Sequence, residues 1–273
     1  MTELELIRDL ARRLPAIGDD CAILPHGRED LLFKVDMLIE DVHFRRAERT
    51  AADVGYRALA RALSDIAAMG GSPKWALVAL ALPPWADRRW IRGFYDGFLA
   101  LARRHNTELV GGDLSHAGKL VADVFVAGVV PHGRALRRST ARAGDELFVS
   151  GRLGRRPWRF QPRLALGEQL RRSRVVTACM DLSDGLSLDL HRLAAASGVE
   201  AELDTVPDAR GADLAAALHQ GEDYELLFAQ KAGRAAPAGC HRIGRLVPGV
   251  KPGRLMLAGR PVPQLGYDHL KQT

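Results

Sequence analysis

The residues of this chain best suited to chemistry are aspartates placed at the ends of apolar runs. Ile17-Gly-Asp-Asp-Cys21 sets two carboxylates beside a glycine, and Leu31-Leu-Phe-Lys-Val-Asp-Met37 brings an apolar run to Asp36, with His43 shortly after. Leu63-Ser-Asp-Ile-Ala-Ala-Met-Gly-Gly71, Val110-Gly-Gly-Asp113 and Asp181-Leu-Ser-Asp-Gly185 repeat the arrangement. Acids at element ends, and not along solvated faces, suit one shared cation site. Magnesium fits that pattern, because it takes one or two carboxylates together with substrate phosphates and keeps several waters. For any single acid, ordinary turn chemistry is an equal or better account, since Asp and Gly are common turn residues.

These acids need elements to hold them. Residues 4–13 read as a short helix with a narrow apolar stripe from Leu6, Ile7 and Leu10, ended by Pro15. Residues 21–24 are a short apolar piece, followed by a turn at Pro25-His-Gly27. In the strand 31–37, Leu31, Phe33 and Val35 fall on one face and Leu32, Lys34 and Asp36 on the other. Lys34 and Asp36 then stand about 7 Å apart along the strand. Thr50-Ala-Ala-Asp53 has the form of a capping box and opens a helix ending at Gly70-Gly71. Asp65 falls near that helix's C-terminal end, where the macrodipole disfavours an anion by roughly 0.3–1 kcal/mol.

Residues 75–82 are expected as a buried strand closed by Pro83-Pro84, and 87–105 as a helix with Trp90, Ile91, Phe94, Phe98 and Leu101 inward and Tyr95 beside them. A strand over 108–110 ends in Gly111-Gly112-Asp113, where backbone can approach a phosphate closely. Another strand spans 120–130. The basic, glycine-flanked stretch 131–144 reads as a linker, either solvated or offering an Arg to phosphate. The second half predicts strands at 146–150, 175–180, 199–203, 226–229, 240–247 and 254–258. It adds a helix after Asp181-Leu-Ser-Asp-Gly185 capped by Ser183 or Asp184, and a short helix at 213–218.

With 273 residues, 47% hydrophobic and 26% charged, the composition is that of a globular protein with a sizeable core, in one large or two ordinary domains. No apolar run reaches the roughly 18 residues of a membrane span. The acidic, amphipathic start lacks a signal-peptide pattern, and three widely spaced cysteines give neither a disulfide framework nor a zinc spacing, so a cytoplasmic protein is expected. The net charge of +6 is spread through both halves as Arg, without a basic and aromatic platform for bases. The reading therefore expects phosphorylated small molecules and no nucleic acid.

Taken in order, Ile17-Gly-Asp-Asp20, Val35-Asp36 with Val42-His-Phe44, Leu63-Ser-Asp-Ile-Ala-Ala-Met-Gly70, Val110-Gly-Gly-Asp113, Asp181-Leu-Ser-Asp-Gly185, Gly221-Glu-Asp-Tyr-Glu-Leu226 and Gly266-Tyr-Asp-His269 resemble the thiamine-monophosphate kinase family. That family lies within the ATP-binding superfamily of aminoimidazole ribonucleotide synthase. The resemblance implies an α/β (α+β) two-domain fold. Its N-terminal domain, 1–135, has a mixed sheet that forms a barrel-like interface in a homodimer, and its C-terminal α/β domain, 136–273, is shortened. It also implies Mg²⁺-assisted transfer of the ATP γ-phosphoryl to thiamine monophosphate. By resemblance, Asp19, Asp36, Asp65, Asp113, Asp181 and Asp184 hold several Mg²⁺ ions. Tyr95, Gly112, Asp113, Arg138 and Ser183 contact ATP, and His43, Glu222 and Tyr267 contact the thiamine phosphate. No side chain is implied as a general base. A non-catalytic thiamine-phosphate binder and a sister ATP-dependent synthetase are the alternative readings. The sequence departs from the family in two places. Lys34 and Val35 stand where it has small hydroxyl residues, so a fixed charge faces Asp19 or the substrate phosphates. Beyond 146–150 a glycine-rich segment and its helix are mostly missing.

Overall fold

The computed structural model describes residues 3–14, 16–267 and 269–270. Pro15, expected to end the first helix, and Asp268 of the terminal motif lie outside them.

The first half builds one mixed sheet. Its strands are β1 (Ala22–His26), β2 (Glu29–Ile39), β3 (Ser72–Leu82), β4 (Glu108–His116) and β5 (Val121–Pro131), in the order β1-β2-β5-β3-β4, with only β3 and β4 parallel. Helix α1 (Glu3–Ala11) precedes it. Helices α2 (Ala51–Ala68) and α3 (Arg88–Arg104) pack together on its inner face. The second half forms a seven-stranded sheet from β6 (Glu146–Val149), β7 (Val176–Asp181), β8 (Val199–Leu203), β9 (Leu226–Gln230), β10 (His241–Pro248), β11 (Leu255–Leu257) and β12 (Arg260–Pro261), in the order β12-β11-β8-β10-β6-β9-β7. Helices α4 (Leu164–Ser173), α5 (Leu186–Ala196) and α6 (Leu214–His219) accompany it.

Alternation in β2 sorts its side chains as period two requires. Leu32 and Leu38 are buried on the inner face with Lys34 and Asp36 between them, while Val35 and Met37 are 57% and 50% exposed on the other. The same outer face carries Leu77 and Phe125 in register with Val35, and Trp75 further along, so this sheet presents an apolar face to solvent. The expectation of a wholly buried strand at 75–82 is thus corrected: only Ala76, Val78 and Leu80 are buried, because one face of the sheet has no layer over it.

Helix α2 is the centre of the molecule. Its capping box forms as expected, with Thr50 accepting from the Asp53 amide and Asp53 from the Thr50 amide. Fourteen of its residues are buried, since it touches α3, α4, the first sheet and β7 at once. Small residues make this possible. A Cβ on Gly55 would lie 1.9 Å from the Phe94 carbonyl oxygen and one on Gly97 1.9 Å from that of Ala52, so α2 and α3 meet backbone to backbone.

Four expectations change. β1 continues through Pro25 and His26, which pair with Asp30 and Glu29, and the turn falls at Gly27. β4 does not stop at the glycines: it runs through Gly111, Gly112 and Asp113 as an edge strand beside β3. The Arg-rich stretch after 157 contains α4, which packs on α2 with Gly167 against the Ala67 carbonyl. α4 lacks a side-chain cap and has a mid-helix glycine, so its local sequence signals it weakly. At α5 neither Ser183 nor Asp184 caps. The cap is Gly185 at φ +116°, and Asp189 accepts from the amides of Asp184 and Gly185.

Candidate active site

The acids converge where the two sheets meet across α2. Asp20 follows the turn before β1, Asp65 sits in the last turn of α2, and Asp181 ends β7. Carboxylate oxygens of these three buried residues lie within 4.8 Å of one another. Asp181 accepts a hydrogen bond of 2.7 Å from the Ser64 hydroxyl, one residue before Asp65. Asp36 stands beside them on the inner face of β2, and the Lys34 ammonium reaches Asp65 at 2.9 Å and Asp36 at 3.5 Å.

The electrostatics are those of crowded anions. Burial, and then the neighbouring Asp20, pushes Asp181 up to about 7 and Asp19 up to about 6. Burial drives Asp65 well above the ordinary carboxylate range, although Lys34 opposes it. For Lys34, burial disfavours the ammonium, but Asp36 and Asp65 outweigh it and hold the proton firmly. Among the described residues Asp20 Oδ2 finds no hydrogen-bond donor although buried. Buried oxygen ligands without enough donors suit a hard divalent cation, which takes oxygen ligands at short range.

Two cavities share this acid wall. The first, about 450 Å³, is bordered by His43, Arg61, Arg156, Glu222, Tyr224 and Tyr267. The second, about 700 Å³, is bordered by Ile7, Gly18, Asp19, Arg138, His191 and Arg192. Lys34, Asp65, Asp181, Ser183 and Asp184 line both. Glycines let the loops close on this junction. A Cβ on Gly221 would lie 2.4 Å from the Ser183 carbonyl oxygen and one on Gly266 2.7 Å from that of Asp184.

In the first cavity the His43 Nδ1 accepts from the Ile39 amide at 3.0 Å, so the ring proton of the neutral imidazole is on Nε2. That Nε2 is buried and unpaired among the described residues, and burial followed by Arg61 lowers the ring's pKa to about 4. His43 is therefore a neutral donor near pH 7. Tyr267 is 46% exposed, with its ring edge-on to His269 at 4.7 Å. Glu222 has a left-handed φ of +70° and is held by Arg57 at 2.8 Å and Arg156 at 2.9 Å. Its charge is thus already balanced from within the chain.

The stretch expected as a linker enters the second cavity. The Arg138 amide donates to Asp19 at 3.1 Å and its guanidinium binds Asp20. Asp184 is paired with Arg192 at the other end. Three expected residues stand apart. Tyr95 is on α3, edge-on to Phe94 at 5.6 Å. Gly112 has a packing role, since its Cβ would meet the Val78 carbonyl oxygen at 1.9 Å. Asp113 pairs in register with Ala79 and, across it, Asp123 and Met37, which places it on the exposed outer face while Asp36 is on the inner one. None of the three lines either cavity.

The family resemblance points to Asp19, whereas Asp20 joins Asp65 and Asp181, and no motif singles out Arg57, Arg61 or Arg156. One signal was available: Asp53, Arg57, Arg61 and Asp65 recur every four residues, a charged stripe on one face of α2. Arg57 is 1% exposed and stacks over the rings of Trp158 and Tyr224.

Residues 18–130 match the family described as AIR synthase related protein, N-terminal domain. A thiamine-monophosphate kinase of Rhodopirellula baltica is 37% identical over 256 residues, spanning 82% of this chain and 80% of its own. The chain belongs to the thiamine-monophosphate kinase family. Another member, from Aquifex aeolicus, is 33% identical and spans 93% of this chain and 92% of its own. Among solved structures, AaThiL complexed with AMPPCP and TMP superposes with a TM-score of 0.91 at 31% identity, covering 98% of this chain and 97% of that one. The thiamine-monophosphate kinase of Stenotrophomonas maltophilia superposes at 0.79 with 34% identity, over 95% and 96%. The two-sheet AIR synthase-like architecture expected from the motifs is the one observed, with the first sheet open in the single chain.

Proposed function

We propose that this chain is a thiamine-monophosphate kinase, moving the γ-phosphoryl of ATP to the phosphate of thiamine monophosphate to give thiamine diphosphate and ADP. The observation that carries this reading is the acid wall shared by two cavities, because a donor and an acceptor phosphate can then meet at one set of carboxylates. ATP occupies the second cavity, with Arg138 and Ser183 toward its phosphates. Thiamine monophosphate occupies the first. There His43 Nε2 donates to its phosphate, Tyr267 stacks on a ring of the thiamine, and Glu222, oriented by Arg57 and Arg156, accepts from the pyrimidine amine.

Asp20, Asp65 and Asp181 would hold Mg²⁺, with Asp19, Asp36 and Asp184 close by, and the bound metal would supply neutralisation of the phosphate charges. The chain's own work is positioning. No general base is needed, since the accepting phosphate is already largely ionised near neutral pH, with a second pKa of about 6. The domain division falls at 135/136, between the strands of the first sheet and the stretch that carries Arg138. The exposed apolar face of the first sheet is covered by a second copy in a homodimer, which closes the barrel-like sheet. Asp113, on the outer side of the edge strand, acts on metal at that assembled face, whereas the contacts of Tyr95 and Gly112 with ATP rest on the family resemblance alone. The free thiols of Cys21, Cys179 and Cys240 agree with a cytoplasmic setting.

The test is a coupled ADP-release assay with ATP, Mg²⁺ and thiamine monophosphate, the product identified by mass. ADP and thiamine diphosphate in equal amounts are expected. No ADP at saturating Mg²⁺ would remove the reading.

A further inference from the structure

Among the described residues Lys34 is the one lysine on the acid wall, and both cavities touch it. A lysine serving only solubility would run its stem over the surface and leave its head in water. This one does the reverse. β2 aims it inward between Leu32 and Asp36, its side chain is 24% exposed, and its ammonium sits against Asp65 and Asp36 together. The partners are not Asp19, as the sequence alone suggested. The stem fixes a positive charge between two carboxylates that a divalent ion could otherwise bridge, next to Asp20 and Asp181.

We propose that the Lys34 ammonium is a resident cation of the phosphoryl-transfer centre, standing in for one divalent ion between Asp36 and Asp65 and confining metal to the side on which Asp65 faces Asp20 and Asp181. The proposal rests on the kinase reading of the acid wall. Its physical basis is that an ammonium and a divalent cation repel strongly at such separations, and that a covalently held charge cannot be diluted away. Unlike a metal, the ammonium also brings three hydrogen-bond donors and no acceptor, so it can hold two carboxylates and still face a phosphate oxygen. One consequence is that neutralisation at this position does not depend on the Mg²⁺ concentration.

The experiment counts ions in the full chain with Mn²⁺ and AMPPCP, by anomalous scattering in crystals and by Mn²⁺ titration in solution. Wild type is compared with Lys34→Ser, Lys34→Met and Lys34→Arg. Lys34→Ser is expected to take about one more Mn²⁺ than wild type, seated on Asp36 and Asp65, because the repelling charge is gone. Lys34→Arg is expected to keep the wild-type count. Lys34→Met retains the stem without the charge, so it serves if the serine variant does not fold, and a gain is expected in solution there too. A Mn²⁺ ion bridging Asp36 and Asp65 in wild type, or equal counts in wild type and both uncharged variants, would overturn the proposal. The counts are made without thiamine monophosphate. A chain inactive on that acceptor would thus fail the kinase reading and leave the ion counts standing, whereas an active chain with equal counts would fail the lysine proposal alone.

Discussion

Asp113 and Asp36 stand in neighbouring rows of the first sheet, three strands or roughly 14 Å apart, and point to opposite faces of it. Register decides this: Asp36 pairs with Val124 on the inner face, and Asp113 reaches the row of Ala79, Asp123 and Met37 on the outer one. Asp113 is exposed on an edge strand, so its charge contributes little to folding. Asp113→Asn should therefore keep stability within about 0.5 kcal/mol. In the homodimer proposed above it should still cut turnover by orders of magnitude, on the order of 100-fold or more, as loss of a preorganised charged group in phosphoryl or acyl transfer does. Urea denaturation and steady-state kinetics on the same preparation check both halves. Near-normal turnover with an unchanged Mg²⁺ requirement would show that Asp113 is not a ligand. Asp36 and Asp65 differ from it in having a partner, Lys34, that keeps them paired in the resting chain.

The element that sets the site's geometry is α2. It carries Arg57, Arg61, Ser64 and Asp65, and each reaches a different wall: Arg57 holds Glu222, Arg61 donates to the Met37 carbonyl, Ser64 donates to Asp181, and Asp65 meets Lys34. The helix can stand between two sheets because its neighbours come close at glycines. Gly97→Ala tests that packing. An alanine gains about 1 kcal/mol over glycine in helix propensity. Here its methyl would fall 1.9 Å from the Ala52 carbonyl oxygen, a backbone atom that cannot rotate away, so α2 and α3 must move apart. Overpacking of this kind costs typically about 1–3 kcal/mol and more when backbone is struck. The variant is expected to be net destabilised in urea, with Mg²⁺ affinity weakened as Asp65 moves with α2. A stabilised Gly97→Ala protein would mean that the two helices are not in backbone contact.

At the scale of the molecule, the acid wall couples metal to stability. Asp181 and Asp19 have folded-state pKa values of about 7 and about 6 against 3.8 for an ordinary aspartate carboxyl. An unfolded chain releases those protons near 3.8, while the folded one retains them. The contribution is fully present below 3.8 and is lost as pH rises through about 6 and about 7, because the unfolded state then binds fewer protons. Metal-free protein should show a Tm component that falls between pH of about 4 and about 8, worth on the order of a few kcal/mol. Mg²⁺ should raise Tm more at the upper end of that range, where the carboxylates are ionised and ready to bind it. Scanning calorimetry with and without Mg²⁺ at several pH values is the measurement. An equal Mg²⁺ effect at both ends would uncouple the ion from these acids.

Local rules account for several pieces of the structure. Period-two alternation put Lys34 and Asp36 on one face of β2 and Val35 on the other. Cap chemistry started α2 at Thr50, α3 at Asp87 and α6 at Asp213. The spacing and order of the acidic motifs were enough to name a family. Tertiary structure decided everything that depends on which face meets which. Asp20 and not Asp19 joined Asp65 and Asp181, since adjacent residues in an extended turn point apart and only packing against β7 chooses between them. Arg138, expected to contact ATP, enters the second cavity from a stretch that reads locally as a linker because its guanidinium has Asp20 to bind. Arg57 became a buried clamp on Glu222, a contact across more than 160 positions of chain that no local pattern encodes. In the single chain Asp113 faces away from the acid wall because register, set by four paired strands, fixes its face. Local propensity acts over a few residues, whereas a site assembled from many separated segments is specified by the packing of α2 between two sheets.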